Sequence, residues 1–133
     1  MFEQQVAAVR DTFDVPGIVL LAATNRPLEA MVQAGRFRSD LFYRLGMLRI
    51  ELPPLREREG DVVLLAGRFL ERAARRYGKG ALRFSDEALE RLARHRWPGN
   101  VRELANLVEQ CVILASDAVI EAEDLPLPVM PAA

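Results

Sequence analysis

The stretch Trp97-Pro98-Gly99-Asn100-Val101-Arg102-Glu103-Leu104 carries the strongest local signal in the chain. Pro98-Gly99 makes a tight turn, and the residues after it open a helix. Asn100 reads as the N-cap. Glu103, three residues on, can reach back to its backbone N–H in a capping box. Arg102 falls in the first helical turn, at the positive end of the helix dipole, where a cation is mildly disfavoured. Helix N-termini attract anions, so a cation beside those free N–H groups suits a phosphate. Two readings stay open on these residues alone: a phosphate contact, and a surface arginine whose stem packs on Trp97.

Working outward, the helix begun here has clean apolar spacing: Val101, Leu104, Ala105, Val108, Cys111, Val112 and Ala115. Upstream, Ser85 caps a helix with Asp86 and Glu87 in its first turn and Leu89, Leu92 and Ala93 as its inner stripe. Before that, Val62, Leu65, Ala66, Phe69, Ala73 and Tyr77 repeat at helical spacing, with Asp61 as N-cap and Gly78 just past the end. Three such faces bury one another as a small bundle. The proline-punctuated tail from Leu125 to Pro131 reads as extended.

Toward the N-terminus, Pro53-Pro54 is the clearest boundary, because neither nitrogen can donate to a ladder. Residues 2–13 give a weak helical pattern ended by Pro16-Gly17. Ile18 to Ala23 is an unbroken apolar run, as in a strand of a parallel sheet buried on both faces. Thr24-Asn25 then lies either at the functional carboxyl edge of that sheet or in a simple turn with Pro27 at the first helical position. Pro27 to Ala34 reads as a short helix closed by Gly35. Phe37, Leu41 and Leu45 share a helical face. Arg38 and Arg44, six residues apart, diverge by roughly 120° on an ideal helix and form no compact patch. Met47 to Leu52 is a short strand candidate.

The bulk properties mostly exclude. The chain has 133 residues and a net charge of −1, which gives no general pull toward nucleic acid or anionic membrane. Seventeen arginines stand against one lysine, Lys79, so an arginine argues for function only through its position. Cys111 is alone, leaving no intramolecular disulfide and no zinc site, and it falls on an apolar helix face as a core residue. No signal-peptide pattern opens the chain, and the longest apolar run is too short to span a bilayer. A soluble cytoplasmic protein without a metal site is expected.

Four segments taken together resemble the AAA+ ATPase domain of bacterial sigma-54-dependent transcription activators, the enhancer-binding proteins. They are Ala22-Ala23-Thr24-Asn25-Arg26, Gly35 through Leu45, Leu52-Pro53-Pro54-Leu55-Arg56-Glu57-Arg58, and Trp97 through Leu104. The resemblance runs from about Val19 to Leu125, and four segments in one order and spacing are very specific. It implies that Asn25 is the sensor I residue that orients the attacking water. It implies that Arg38 and Arg44 are the arginine-finger pair offered in trans to a neighbouring subunit's nucleotide. Arg102 matches sensor II, which reaches the phosphates from the lid of its own subunit. A planar, permanently charged guanidinium suits the charge that phosphoryl transfer spreads over equatorial oxygens.

On this resemblance the chain is an α/β fragment, the end of a parallel-sheet AAA+ core, followed by an all-α helical-bundle lid. Residues 1–53 are the partial core, 54–60 a linker, 61–125 the lid and 126–133 an extended tail. ATP, as Mg-ATP in the complete family domain, is the implied cofactor. Other AAA+ subunits in a hexameric ring and sigma-54 RNA polymerase are the implied partners, with no direct DNA contact and no membrane. The 133 residues hold no G-x-x-x-x-G-K-[ST] and no apolar strand ending in paired acids, so neither Walker motif is present. The loop by which the family contacts the sigma factor is missing as well. A truncated module that does not hydrolyse ATP alone is therefore expected. A helix-turn-helix DNA-binding module and a decayed remnant are the alternatives; Glu103 and Glu109 on the would-be recognition helix oppose the first.

Overall fold

The computed structural model describes residues 19–128. Its internal contacts divide the chain between Glu51 and Leu52, and each unit is built on its own logic. The expected helix at 2–13 and the tail from Val129 onward lie outside the described residues.

In the first unit, α1 (Leu28–Gln33) and α2 (Ser39–Leu45) are short helices. Pro27 sits one position earlier than the sequence suggests, as the N-cap of α1. Gly35 ends that helix at φ 71, in the left-handed region that glycine enters without a Cβ penalty. The chain then folds back, with the Arg36 and Phe37 N–H groups both donating to the Met31 carbonyl at 2.8 and 3.2 Å. Phe37, at this fold-back, is buried. Phe37 therefore precedes α2 instead of lying on its face, and Arg38 becomes the N-cap.

The two strand expectations are corrected here. Neither residues 19–23 nor Met47–Leu52 joins a ladder among the described residues, and Val19, Leu21, Met47, Leu48 and Ile50 are largely exposed. Unbroken apolarity marks a strand only when neighbours pair both its edges and helices cover both its faces. No described segment of this unit supplies them.

The second unit has a closed core. A 3-10 turn at Leu55–Glu57 leads into α3 (Asp61–Arg76), followed by β1 (Arg83–Phe84), α4 (Asp86–Arg94), α5 (Asn100–Leu114), β2 (Val119–Ile120) and a second 3-10 turn at Ala122–Asp124. Gly60, at φ 80, is the N-cap of α3, so Asp61 lies inside the helix and pairs with Arg58 at 2.8 Å. Val62, Ala66, Leu70 and Ala73 of α3 meet Ala88 and Leu92 of α4 and Leu104, Leu107, Val108, Cys111 and Val112 of α5. Fully burying each valine or leucine side chain among them contributes roughly 1.5–3 kcal/mol. Ser85 caps α4 as read, accepting the Ala88 N–H at 3.2 Å.

The second unit is not purely helical. β1 and β2 form a two-residue parallel pair, Arg83 beside Val119 and Phe84 beside Ile120, which seats Phe84 and Ile120 in the core. The described part of the tail, residues 125–128, is docked: Leu125 is buried, and Leu127 packs on the core. Arg91 holds this segment through the carbonyls of Ala122 at 2.7 Å and Leu127 at 2.9 Å.

Candidate functional site

The turn into α5 is held by several side-chain bonds. Trp97 is fully buried at φ 51, and its indole N–H donates to the Leu92 carbonyl at 2.8 Å. His95 meets the Trp97 ring edge-on, with centroids 4.6 Å apart. The expected capping box does not form, and Glu103 lies four residues beyond the cap rather than three. Gly99 is the N-cap, and its N–H donates to Glu103 Oε2 at 2.8 Å. Asn100 adopts φ 51, a left-handed conformation that asparagine tolerates better than most side chains. Its side chain consequently leaves its own helix, and Oδ1 accepts the Leu55 N–H at 2.8 Å.

Glu103 Oε1 takes a second bond, 2.9 Å from His95 Nε2. Partial burial raises the Glu103 carboxyl, but the bonds to His95 and to the Gly99 N–H outweigh it and hold the group below the usual carboxylate range. Arg102 lies between these anchored residues. It is exposed and makes no hydrogen bond or ion pair among the described residues. A free guanidinium in a fixed first turn suits phosphate oxygens. Among the described residues no group of three or more His, Cys, Asp or Glu could hold a metal ion.

Residues 56–132, more than half of the chain, match the AAA+ ATPase lid domain. The chain belongs to this AAA+ ATPase lid family. Residues 6–51 match the Sigma-54 interaction domain, so the unit before the lid is the end of that domain. Among curated relatives, the transcriptional regulatory protein ZraR of Escherichia coli K12 is 50% identical over 108 residues, 81% of this chain and 24% of ZraR. The alginate biosynthesis transcriptional regulatory protein AlgB of Pseudomonas putida is 49% identical over 113 residues, 85% of this chain and 25% of AlgB. The chain thus spans about a quarter of the length of these relatives.

Among solved structures, NtrX from Brucella abortus in complex with ADP superposes with a TM-score of 0.77 at 31% identity, covering 93% of this chain and 32% of NtrX. NtrX in complex with ATP gives 0.73 at 34% identity, covering 82% of this chain and 27% of NtrX. The architecture is therefore the end of an AAA+ core followed by a helical lid, in a family that includes nucleotide-bound members.

The other sequence-derived residues lie in the first unit. Asn25 is exposed in a bend, next to Thr24, whose hydroxyl accepts the Arg26 N–H at 3.1 Å. Arg38 and Arg44 occupy opposite ends of α2. Arg38 clasps Asp40 through two bonds of 3.1 and 2.7 Å, whereas Arg44 is exposed in the last turn with no ion pair among the described residues. Sequence reading missed Asn100 as a tether and Arg91 as a tail anchor. Each bond spans more than thirty residues of chain, and no local pattern announces either. No described helix is long and apolar enough to cross a membrane.

Proposed function

We propose that this chain supplies part of the nucleotide site of a ring-forming, sigma-54-dependent AAA+ transcription activator. Asn25 orients the attacking water, Arg38 and Arg44 reach the nucleotide of a neighbouring subunit, and Arg102 contacts phosphate from the lid of its own subunit. The observation that carries the reading is Arg102, an exposed guanidinium without a partner among the described residues, on an anchored turn of a matched AAA+ lid.

The chemistry asks for that arrangement. Hydrolysis spreads negative charge over the equatorial phosphate oxygens, and catalysis is largely positioning and electrostatic stabilisation. ATP, when bound, supplies the phosphoryl group. Arg102 would hold its oxygens, and the rigid turn would spare the reorganisation that a mobile arginine requires. The two arginines of α2 are not equivalent. Arg44 is available as it stands. Arg38 must exchange Asp40 for phosphate, and an exposed pair of this kind is worth only about 0–1 kcal/mol. The exchange is therefore inexpensive, and Asp40 keeps Arg38 oriented until a nucleotide arrives.

The test replaces the matching 108 residues of E. coli ZraR with those of this chain and measures ATPase rates. Arg44→Ala and Arg102→Ala should each lower turnover, the trans arginine by about 10³–10⁵-fold. Mixing the two inactive variants should restore activity, because an Arg44→Ala subunit keeps its own Arg102 and can borrow Arg44 from an Arg102→Ala neighbour. Unchanged turnover in Arg102→Ala, or no recovery on mixing, defeats the proposal. The 133-residue chain alone should show no turnover. ATP hydrolysis by it that Arg102→Ala abolishes would contradict that expectation.

A further inference from the structure

Capping does not account for Asn100. Gly99 caps α5, and the Asn100 side chain serves a different segment, the Leu55 N–H. That donor is an orphan of the 3-10 turn at Leu55–Glu57, whose N-cap, Pro54, makes no side-chain cap bond. It is also the first peptide N–H after Pro53 and Pro54, neither of which carries one. Leu52 is 87% exposed and Leu55 2%, so the connecting peptide enters the lid at this bond. Pro54, at φ −63 and ψ 158, is in the stiff polyproline conformation. Beyond Asn100, Glu103 is fixed by Gly99 and His95, and Trp97 by Leu92.

We propose that Asn100 is a positioning residue for Arg102. It couples the course of the Leu52–Leu55 connector to the first turn of α5 through the Leu55 N–H. The proposal rests on the reading of Arg102 as a phosphate contact, since the position it sets has consequences only if Arg102 meets a ligand. With φ locked at both Pro53 and Pro54, only ψ can take up a rotation of the connector, so much of the displacement passes to Leu55. The short asparagine side chain hands it to a backbone two residues from Arg102. Setting the connector then sets the arginine.

The first test uses nuclear magnetic resonance on the full 133-residue chain. Asn100→Gly keeps the left-handed backbone accessible and deletes the acceptor, while Asn100→Asp keeps an acceptor. Exchange of the Leu55 amide should be about tenfold faster in Asn100→Gly and close to the parent in Asn100→Asp. Loosening the connector with Pro54→Gly should shift the amide signals of Val101–Glu103 in the parent and in Asn100→Asp, but not in Asn100→Gly. An equal response in all backgrounds overturns the coupling. If Asn100→Gly fails to fold, Pro54→Gly in the parent still decides, because no change at Val101–Glu103 overturns the proposal.

The ZraR chimera separates this idea from the function it rests on. Asn100→Gly should lower kcat about tenfold, rescued by Asn100→Asp, and should add no further loss in an Arg102→Ala background. If Arg102→Ala leaves turnover intact while the resonance coupling stands, the phosphate reading fails and the coupling survives. If Arg102→Ala abolishes turnover and Asn100→Gly has no effect, the positioning role fails alone.

Discussion

Replacing Gly99 by alanine tests the geometry of the α5 start through the sign of a stability change. Gly99 has φ −87, a conformation that alanine adopts freely. On backbone grounds alone, Gly99→Ala should stabilise by about 0.4–1 kcal/mol, by narrowing the unfolded ensemble. Space dictates the opposite. A Cβ at this position would lie 2.7 Å from the Glu103 Cβ and 3.3 Å from Oε2, where carbon atoms rest comfortably at about 3.5–4.0 Å. The Glu103 Cβ is fixed to the helix backbone and cannot rotate away, so the first turn of α5 must shift by nearly an ångström. Overpacking of this kind costs about 1–3 kcal/mol. Weakening the charge-assisted bond from the Gly99 N–H adds about 1 kcal/mol or more. The expected net destabilisation is about 2–4 kcal/mol.

Urea unfolding followed by the fluorescence of Trp97, the one tryptophan of the chain, reads this segment directly. The midpoint should fall with no change in slope. In a Glu103→Gly background, where the opposing Cβ is gone, Gly99→Ala should revert to neutral or mildly stabilising. If Gly99→Ala matches or exceeds the parent in stability, the close approach of Gly99 and Glu103 is wrong, and with it the anchoring argument for Arg102.

Three further outcomes follow from the same structure. Ser85→Ala should cost about 1 kcal/mol in urea unfolding and Ser85→Asp only a few tenths, since both serine and aspartate can accept the Ala88 N–H; equal losses would refute the cap. Burial, with Asp124 nearby, pushes the Cys111 thiol up from 9.0 to about 11. It should therefore resist iodoacetamide at neutral pH until the lid unfolds, and its contribution to stability should persist below pH 9.0 and fade as pH rises toward 11. Glu103 works in the opposite direction. Its folded pKa is depressed, so its contribution is complete above the ordinary value of 4.5 and is lost as pH falls through the folded value. Glu103→Gln should flatten the acid limb of stability against pH, and parallel curves for variant and parent would contradict the His95–Glu103–Gly99 arrangement.

What could be read from sequence was what the chain settles locally. Ser85 and the apolar spacing of α5 are set by neighbours three and four residues away, and they were legible. On α4 Leu92 was legible, but Ala88 is buried where Ala93 was expected, and Ala93 is exposed. On α3 the inferred stripe was rotated. Leu65 and Phe69 only flank the core while Leu70 lies in it, because the centre of a buried face is chosen by its partner helix. The β1–β2 pair is two residues long and joins segments thirty-six apart, below any periodicity signal. The α5 start was half legible. Residue types suggested a capping box, but the left-handed φ of Asn100 moved the cap to Gly99 and released the asparagine for Leu55. The apolar run at 19–23 misled because burial on both faces belongs to a whole sheet, which no single strand can announce.

The strain at this turn bears on why the arginine belongs to it. Trp97 and Asn100 both hold positive φ, and a bulky residue in that region costs of order 1–3 kcal/mol. Such a conformation persists only where surrounding bonds over-determine it. Here the buried indole with its bond to Leu92, the Glu103 bonds to Gly99 and His95, and the Asn100 bond to Leu55 do so. None of these contacts involves Arg102. If the turn served only to join α4 to α5, a relaxed loop would do so at lower cost, and nothing would require these residues to be locked around one exposed cation. A locked backbone carrying a side chain without a partner among the described residues is what transition-state binding would need. On the proposed reading of Arg102 as a phosphate contact, the entropy of placing the backbone is lost on folding, and only the guanidinium would have to settle on the phosphate.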